Sequence, residues 1–91
     1  QEEYGNAVLK VLDPEEKLFS FRLFRQHCYE MHSRINLVKD LRVLSKRDLS
    51  RIILVDNSPQ AYLFQKSNGV PIIPFYSDTS DDELLKLEEF L

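Results

Sequence analysis

The stretch Ile52 to Val55 is apolar at every position and β-branched at three of its four, and it runs directly into Asp56 and Asn57. A strand with one wet face would alternate polar and apolar residues, so a continuous run of this kind describes a strand covered on both faces. The neighbouring segments fit that demand. Residues 3–12 place Tyr4, Ala7, Val8, Val11 and Leu12 on one helical stripe that stops at Asp13 and Pro14. Ser58 and Pro59 read as the cap and first turn of a short helix through Ala61, Tyr62 and Phe64. Asn68 and Gly69 turn the chain into a second buried strand at Val70 to Ile73, and Ser80 to Glu83 reads as a capping box before a helix through Leu84 to Leu91. Helices alternating with fully apolar strands point to an α/β sheet with parallel strands. Leu18 to Phe24 alternates as a strand with His27 to Met31 as its hairpin partner, and Asn36 to Val38 is a further extended piece. The apolar pattern of the first and last helices continues up to the chain ends, which suggests an excerpt of a larger domain.

Open α/β sheets bind ligands beyond the carboxyl ends of their strands. A carboxylate and an amide oxygen at such an end make ligands for a hard cation, and Mg²⁺ is the natural candidate. The same three residues, Asp56, Asn57 and Ser58, also make ordinary turn chemistry, with Asx side chains bonding the following backbone. Spacing alone leaves both readings open, and the turn is the commoner.

Charge narrows the partner classes. The net charge is −3, yet residues 17–51 hold nine Lys or Arg against three acids, a local balance of +6 between acidic flanks. A basic middle suits a phosphorylated or acidic partner and equally suits a solvated face. The overall acidity argues against direct, non-specific nucleic-acid binding. No apolar run approaches the roughly 20 residues of a membrane-spanning helix. Cys28 is the single cysteine, so there is no disulfide framework or thiolate zinc site, and a reducing compartment is expected. Cys28 itself reads as a packed apolar residue. His27 and His32 have no third nitrogen or thiolate beside them and read as surface or edge residues.

Three longer patterns sharpen this picture: FSFRLFRQHC at Phe19 to Cys28, VKDL through DNSP to NGVPI at Val38 to Ile72, and DDELLKLEEFL at Asp81 to Leu91. Together they resemble the C-terminal half of the small C-terminal-domain phosphatases, the nuclear-LIM-interactor-interacting-factor (Dullard-like) family of the haloacid dehalogenase superfamily. The resemblance covers nearly the whole chain. It implies the C-terminal part of a haloacid-dehalogenase-like Rossmannoid domain, a parallel sheet with flanking helices and a β-hairpin insert. It also implies a Mg²⁺-dependent serine/threonine phosphatase that works through an aspartyl-phosphate. Lys39 would stabilise charge on the phosphoryl group. Asn57 would be a direct metal ligand, and Asp56 would bind through water or orient its neighbours. Arg25 would lie near the groove for the substrate peptide. The implied partner is a phosphorylated protein such as the RNA polymerase II C-terminal domain.

Two departures qualify the resemblance. Family members turn their hairpin tightly at Gly-Asn, whereas Met31 to Asn36 contains no glycine and runs longer. More consequentially, the nucleophile motif of the family, Asp-x-Asp-x-Thr/Val after an apolar strand, occurs nowhere in residues 1–91. Charge stabilisation without an attacking group does not transfer phosphate, so the chain alone is expected to be inactive. The alternative is a non-catalytic module that binds phosphopeptide or protein. A sheet lacking some of its strands leaves apolar surface, so self-association or pairing with the missing half is expected as well.

Overall fold

A computed structural model of the chain describes residues 1–30 and 37–91. The elements run α1 (Glu2–Leu12), β1 (Tyr29–Glu30), β2 (Leu37–Val38), β3 (Leu54–Asp56), β4 (Gly69–Pro71) and α2 (Glu83–Phe90). Short 3-10 helices stand at Arg25–His27, Leu41–Val43 and Leu49–Arg51, and a longer one at Pro59–Asn68. Among the described residues, no helix is long and apolar enough to cross a membrane.

The apolar run and its return strand pair as expected. β3 and β4 are parallel, with Leu54 opposite Gly69 and Asp56 opposite Pro71. The Pro59–Asn68 helix is the crossover between them, and it is kinked, with Tyr62 and Gln65 outside helical geometry. Pro59 opens it as read, but Ser58 makes no side-chain cap. The Ser58 N–H is instead given to Asp56. Strand structure begins at Leu54 rather than Ile52, because Ile52 closes the Leu49–Arg51 helix. Every β3 residue is half-buried and Ile53 just before it is 47% exposed, so this chain does not fully cover the apolar run.

Asn68 closes the turn into β4 by donating its amide to the carbonyls of Leu49 and Ile52, at 2.7 and 2.8 Å. Gly69 is required there for room rather than for an unusual φ, since its φ is −77°. A Cβ at this position would run into the Tyr62 ring at its Cγ, Cδ1 and Cδ2 atoms. Those atoms lie at the root of a side chain held by its own helix. Gly69→Ala is therefore expected to cost about 1–3 kcal/mol through overpacking. Thermal unfolding monitored by circular dichroism checks this, with an unchanged midpoint as the opposing result.

The N-terminal region departs most from expectation. Leu18 to Phe24 forms no strand, and the partner of β1 is β2, antiparallel, with Tyr29 opposite Val38 and Glu30 opposite Leu37. The alternation serves side-chain docking instead of a backbone ladder. Phe24 packs against α1 at Gly5, where an added Cβ would stand 2.9 Å from the ring. Arg22 donates to Asn6 at 2.9 Å, Gln26 donates to Glu2 at 3.0 Å, and the Arg47 guanidinium lies 5.9 Å from the Phe21 ring centre. The buried Asp13 carboxylate accepts the N–H groups of Lys17 and Leu18, folding the chain back after α1. The expected long turn at residues 31–36, with His32, lies outside the described residues.

The capping box before α2 is also replaced. Asp78 accepts both the N–H and the hydroxyl of Ser80, and Asp81 accepts the N–H of Glu83 at 3.0 Å. A carboxylate two residues upstream captures each donor before the Ser80 side chain can reach Glu83. Among the described residues the buried apolar core consists of Val38, Leu41 and Ala61, where β2 and the following turn meet the crossover helix. Val11, Leu84 and Phe90 on the two α-helices are exposed, which is the apolar surface the sequence reading expects to need a cover.

Candidate active site

The end of β2 lies beside the end of β3 because the Lys39 N–H donates to the Ala61 carbonyl at 2.8 Å. This bond ties the segment after β2 to the crossover helix. From there the Lys39 ammonium reaches the Asp56 carboxylate, with Nζ 2.5 Å from Oδ2. The pair is 17 residues apart in sequence. The other oxygen of Asp56, Oδ1, accepts the Ser58 N–H at 2.9 Å. Asp56 is thus a turn residue, as the commoner reading has it, and an ion-pair partner of Lys39 as well. Its side chain is only 10% exposed, whereas that of Lys39 is 49% exposed. A partly open ammonium held by a shielded carboxylate can accept an incoming anion on its free side.

Asn57 follows with its side chain exposed. It lines a cleft of about 590 Å³ bounded by the Ile72–Tyr76 segment and the start of α2. Asn57 and Asp56 bring an amide and a carboxylate to the same strand end, the donor chemistry of a hard cation. Among the described residues, however, no group of three or more His, Cys, Asp or Glu side chains could hold a metal ion. These residues fit part of such a site and would need further oxygen ligands.

Arg25 stands in a 3-10 turn rather than in the hairpin proper. It lines a cavity of about 660 Å³ whose wall also includes Lys39, Asp40 and Leu54. Arg25 and Lys39 therefore face one space, while Asn57 opens onto another. His27 is engaged structurally, its Nδ1 accepting the Phe24 N–H at 2.8 Å. Cys28 is half-buried, with Sγ 4.0 Å from the Phe24 carbonyl.

A second network stands next to the first. It is centred on Asp40, which caps the Leu41–Val43 turn. Its carboxylate is gripped by the Arg42 guanidinium at 2.7 to 3.1 Å, by the Gln65 amide at 2.9 Å and by the Arg42 N–H at 3.0 Å. The Arg42 side chain contributes most, followed by Gln65, and together they hold the Asp40 carboxyl well below the usual carboxylate range. Arg42 also lies over the Phe64 ring at 5.8 Å, and Phe64 meets Tyr29 edge-on at 5.4 Å. Neither Asp40 nor Gln65 stands out in the sequence. The bond between them spans 25 residues, and no local pattern marks it.

The comparison with known proteins follows the same residues. A family model described as "NLI interacting factor-like phosphatase" matches residues 1–91. The chain belongs to the NLI-interacting-factor-like phosphatase family. It is 44% identical over its full length to CTD small phosphatase-like protein 2 of Dictyostelium discoideum, covering 15% of that protein. It is 44% identical over 96% of its length to human CTD small phosphatase-like protein, covering 30% of it. Nuclear envelope morphology protein 1 of Schizosaccharomyces pombe is 40% identical over 97% of the chain, which covers 18% of that relative. The chain spans less than a third of each of these relatives.

Proposed function

We propose that the protein carrying this chain is a Mg²⁺-dependent serine/threonine phosphatase with a haloacid-dehalogenase-like fold, and that this chain supplies its charge-receiving side. The observation that carries the reading is the Lys39–Asp56 pair at the carboxyl end of a parallel strand, with Asn57 exposed beside it. The family membership and the CTD-phosphatase names of several relatives support a phosphorylated protein as substrate, with the RNA polymerase II C-terminal domain as one candidate. A nuclear or cytoplasmic setting accompanies that reading.

In this scheme an aspartate outside residues 1–91 attacks phosphorus, and a second aspartate two residues after it protonates the departing serine or threonine oxygen. That second aspartate then takes a proton from the water that hydrolyses the aspartyl-phosphate. Lys39 receives charge from the phosphoryl oxygens. Asp56 holds that ammonium in place and orients the strand end. Asn57 offers its amide oxygen to the metal, and Arg25 contacts the substrate peptide across the shared cavity. Bound Mg²⁺ would supply neutralisation of phosphate charge.

The test is a phosphoserine-peptide assay on the full-length protein across a Mg²⁺ titration. Asn57→Ala is expected to raise the Mg²⁺ concentration for half-maximal rate by at least about 10-fold. An unchanged Mg²⁺ requirement removes Asn57 from the metal site. A full-length protein that binds the phosphopeptide without turning it over supports the second reading, a non-catalytic binding module. That reading draws on the absence of the nucleophile motif from these 91 residues.

A further inference from the structure

We propose that Gln65 is a positioning residue for Lys39, fixing the backbone that follows Lys39 so that its ammonium stays on Asp56. This rests on the reading of Lys39 as the cation that receives phosphoryl charge.

Lys39 cannot be held by packing alone, because its side chain is half exposed and its stem is flexible. Its direction depends on where its backbone is placed. β1 pairs with β2 up to Val38, and the crossover helix Pro59–Asn68 holds the residues from Lys39 onward. Ala61 accepts the Lys39 N–H at 2.8 Å. One turn further on, Gln65 engages the next two residues with both ends of its amide. Its Oε1 accepts the Leu41 N–H at 3.0 Å, and its Nε2 donates to Asp40 Oδ1 at 2.9 Å.

An acceptor and a donor at this reach on one uncharged side chain define glutamine. A carboxylate could not donate to Asp40, and an ammonium could not accept from Leu41. The helix is irregular at this residue, with Gln65 at φ −133° and ψ 65°. The backbone departs from helical form where the side chain spans to the Lys39 segment. Leu41, whose N–H is bound, is buried, so the clamp connects the site to the core.

The test uses the full-length protein and steady-state kinetics on a phosphoserine peptide. Gln65→Met keeps the length of the side chain and removes both hydrogen bonds. It is expected to lower kcat by about ten- to a hundredfold, the range for a displaced catalytic group, with KM unchanged. Combined with Lys39→Met it is expected to add no further loss, since its effect passes through Lys39.

Gln65→Glu retains the acceptor for Leu41 and sets a second carboxylate against Asp40, whose own carboxylate the Arg42 guanidinium grips. Its kcat relative to wild type is expected to fall at neutral pH and to recover toward one as acidification protonates Glu and restores the donor. That variant carries the test if Gln65→Met does not fold. A wild-type kcat in Gln65→Met, a loss that multiplies undiminished onto Lys39→Met, or a pH-independent Gln65→Glu ratio overturns the proposal. Full activity in Lys39→Met alone removes the underlying reading of Lys39, and that result is visible without any Gln65 variant.

Discussion

Lys39→Ala in the full-length protein is expected to lower kcat by about 10²- to 10³-fold, the usual loss when one charge-stabilising donor is removed from an active site. The ammonium sits 2.5 Å from Asp56 and half in the open, so it has a free side for phosphoryl oxygens. Removing it deletes that interaction and leaves Asp56, a shielded carboxylate, facing the incoming anion. Both changes raise the barrier. Lys39→Arg is not expected to restore the rate, because a planar guanidinium does not replace a compact ammonium on one carboxylate oxygen. The effect on stability should be small by comparison, since a pair with one exposed partner is weakened by solvent. Kinetics and thermal unfolding on the same preparations separate the two. Wild-type kcat in Lys39→Ala would contradict the assignment.

The second large effect concerns the 91 residues by themselves. Purified alone, they are expected to show no turnover of para-nitrophenyl phosphate above buffer, with or without Mg²⁺. The chain holds the Lys39 ammonium and the Asp56 and Asn57 oxygens, but no Asp-x-Asp after an apolar strand. Without an attacking carboxylate there is no aspartyl-phosphate to form, and an ammonium does not substitute for a nucleophile. The neighbouring carboxylate does not substitute either. Asp56 already uses one oxygen for Lys39 and the other for the Ser58 N–H. A Mg²⁺-dependent turnover that disappears in Lys39→Ala would overturn this expectation and require a nucleophile within the chain.

What the sequence by itself determined is local in origin. The α1 stripe ending at Asp13, the parallel strand ending in Asp56 and the helix opened by Pro59 are readable because periodicity, a missing N–H and turn propensities act over a few residues. The family resemblance then singled out Lys39, Asp56 and Asn57 as members of one site. Only the tertiary structure decided which segments touch. Leu18 to Phe24 carries a strand-like pattern, yet its side chains found partners on α1 and at Arg47 before its backbone found a ladder. β1 paired with β2 instead. Ser80 lost its cap to Asp78 and Asp81 because two competing carboxylates lay closer to the donors. The Lys39–Asp56 contact closes over 17 residues and the Gln65 clamp over 24 and 25. Such contacts depend on how β2, β3 and the crossover helix pack around Val38, Leu41 and Ala61, and no window of neighbouring residues contains that information.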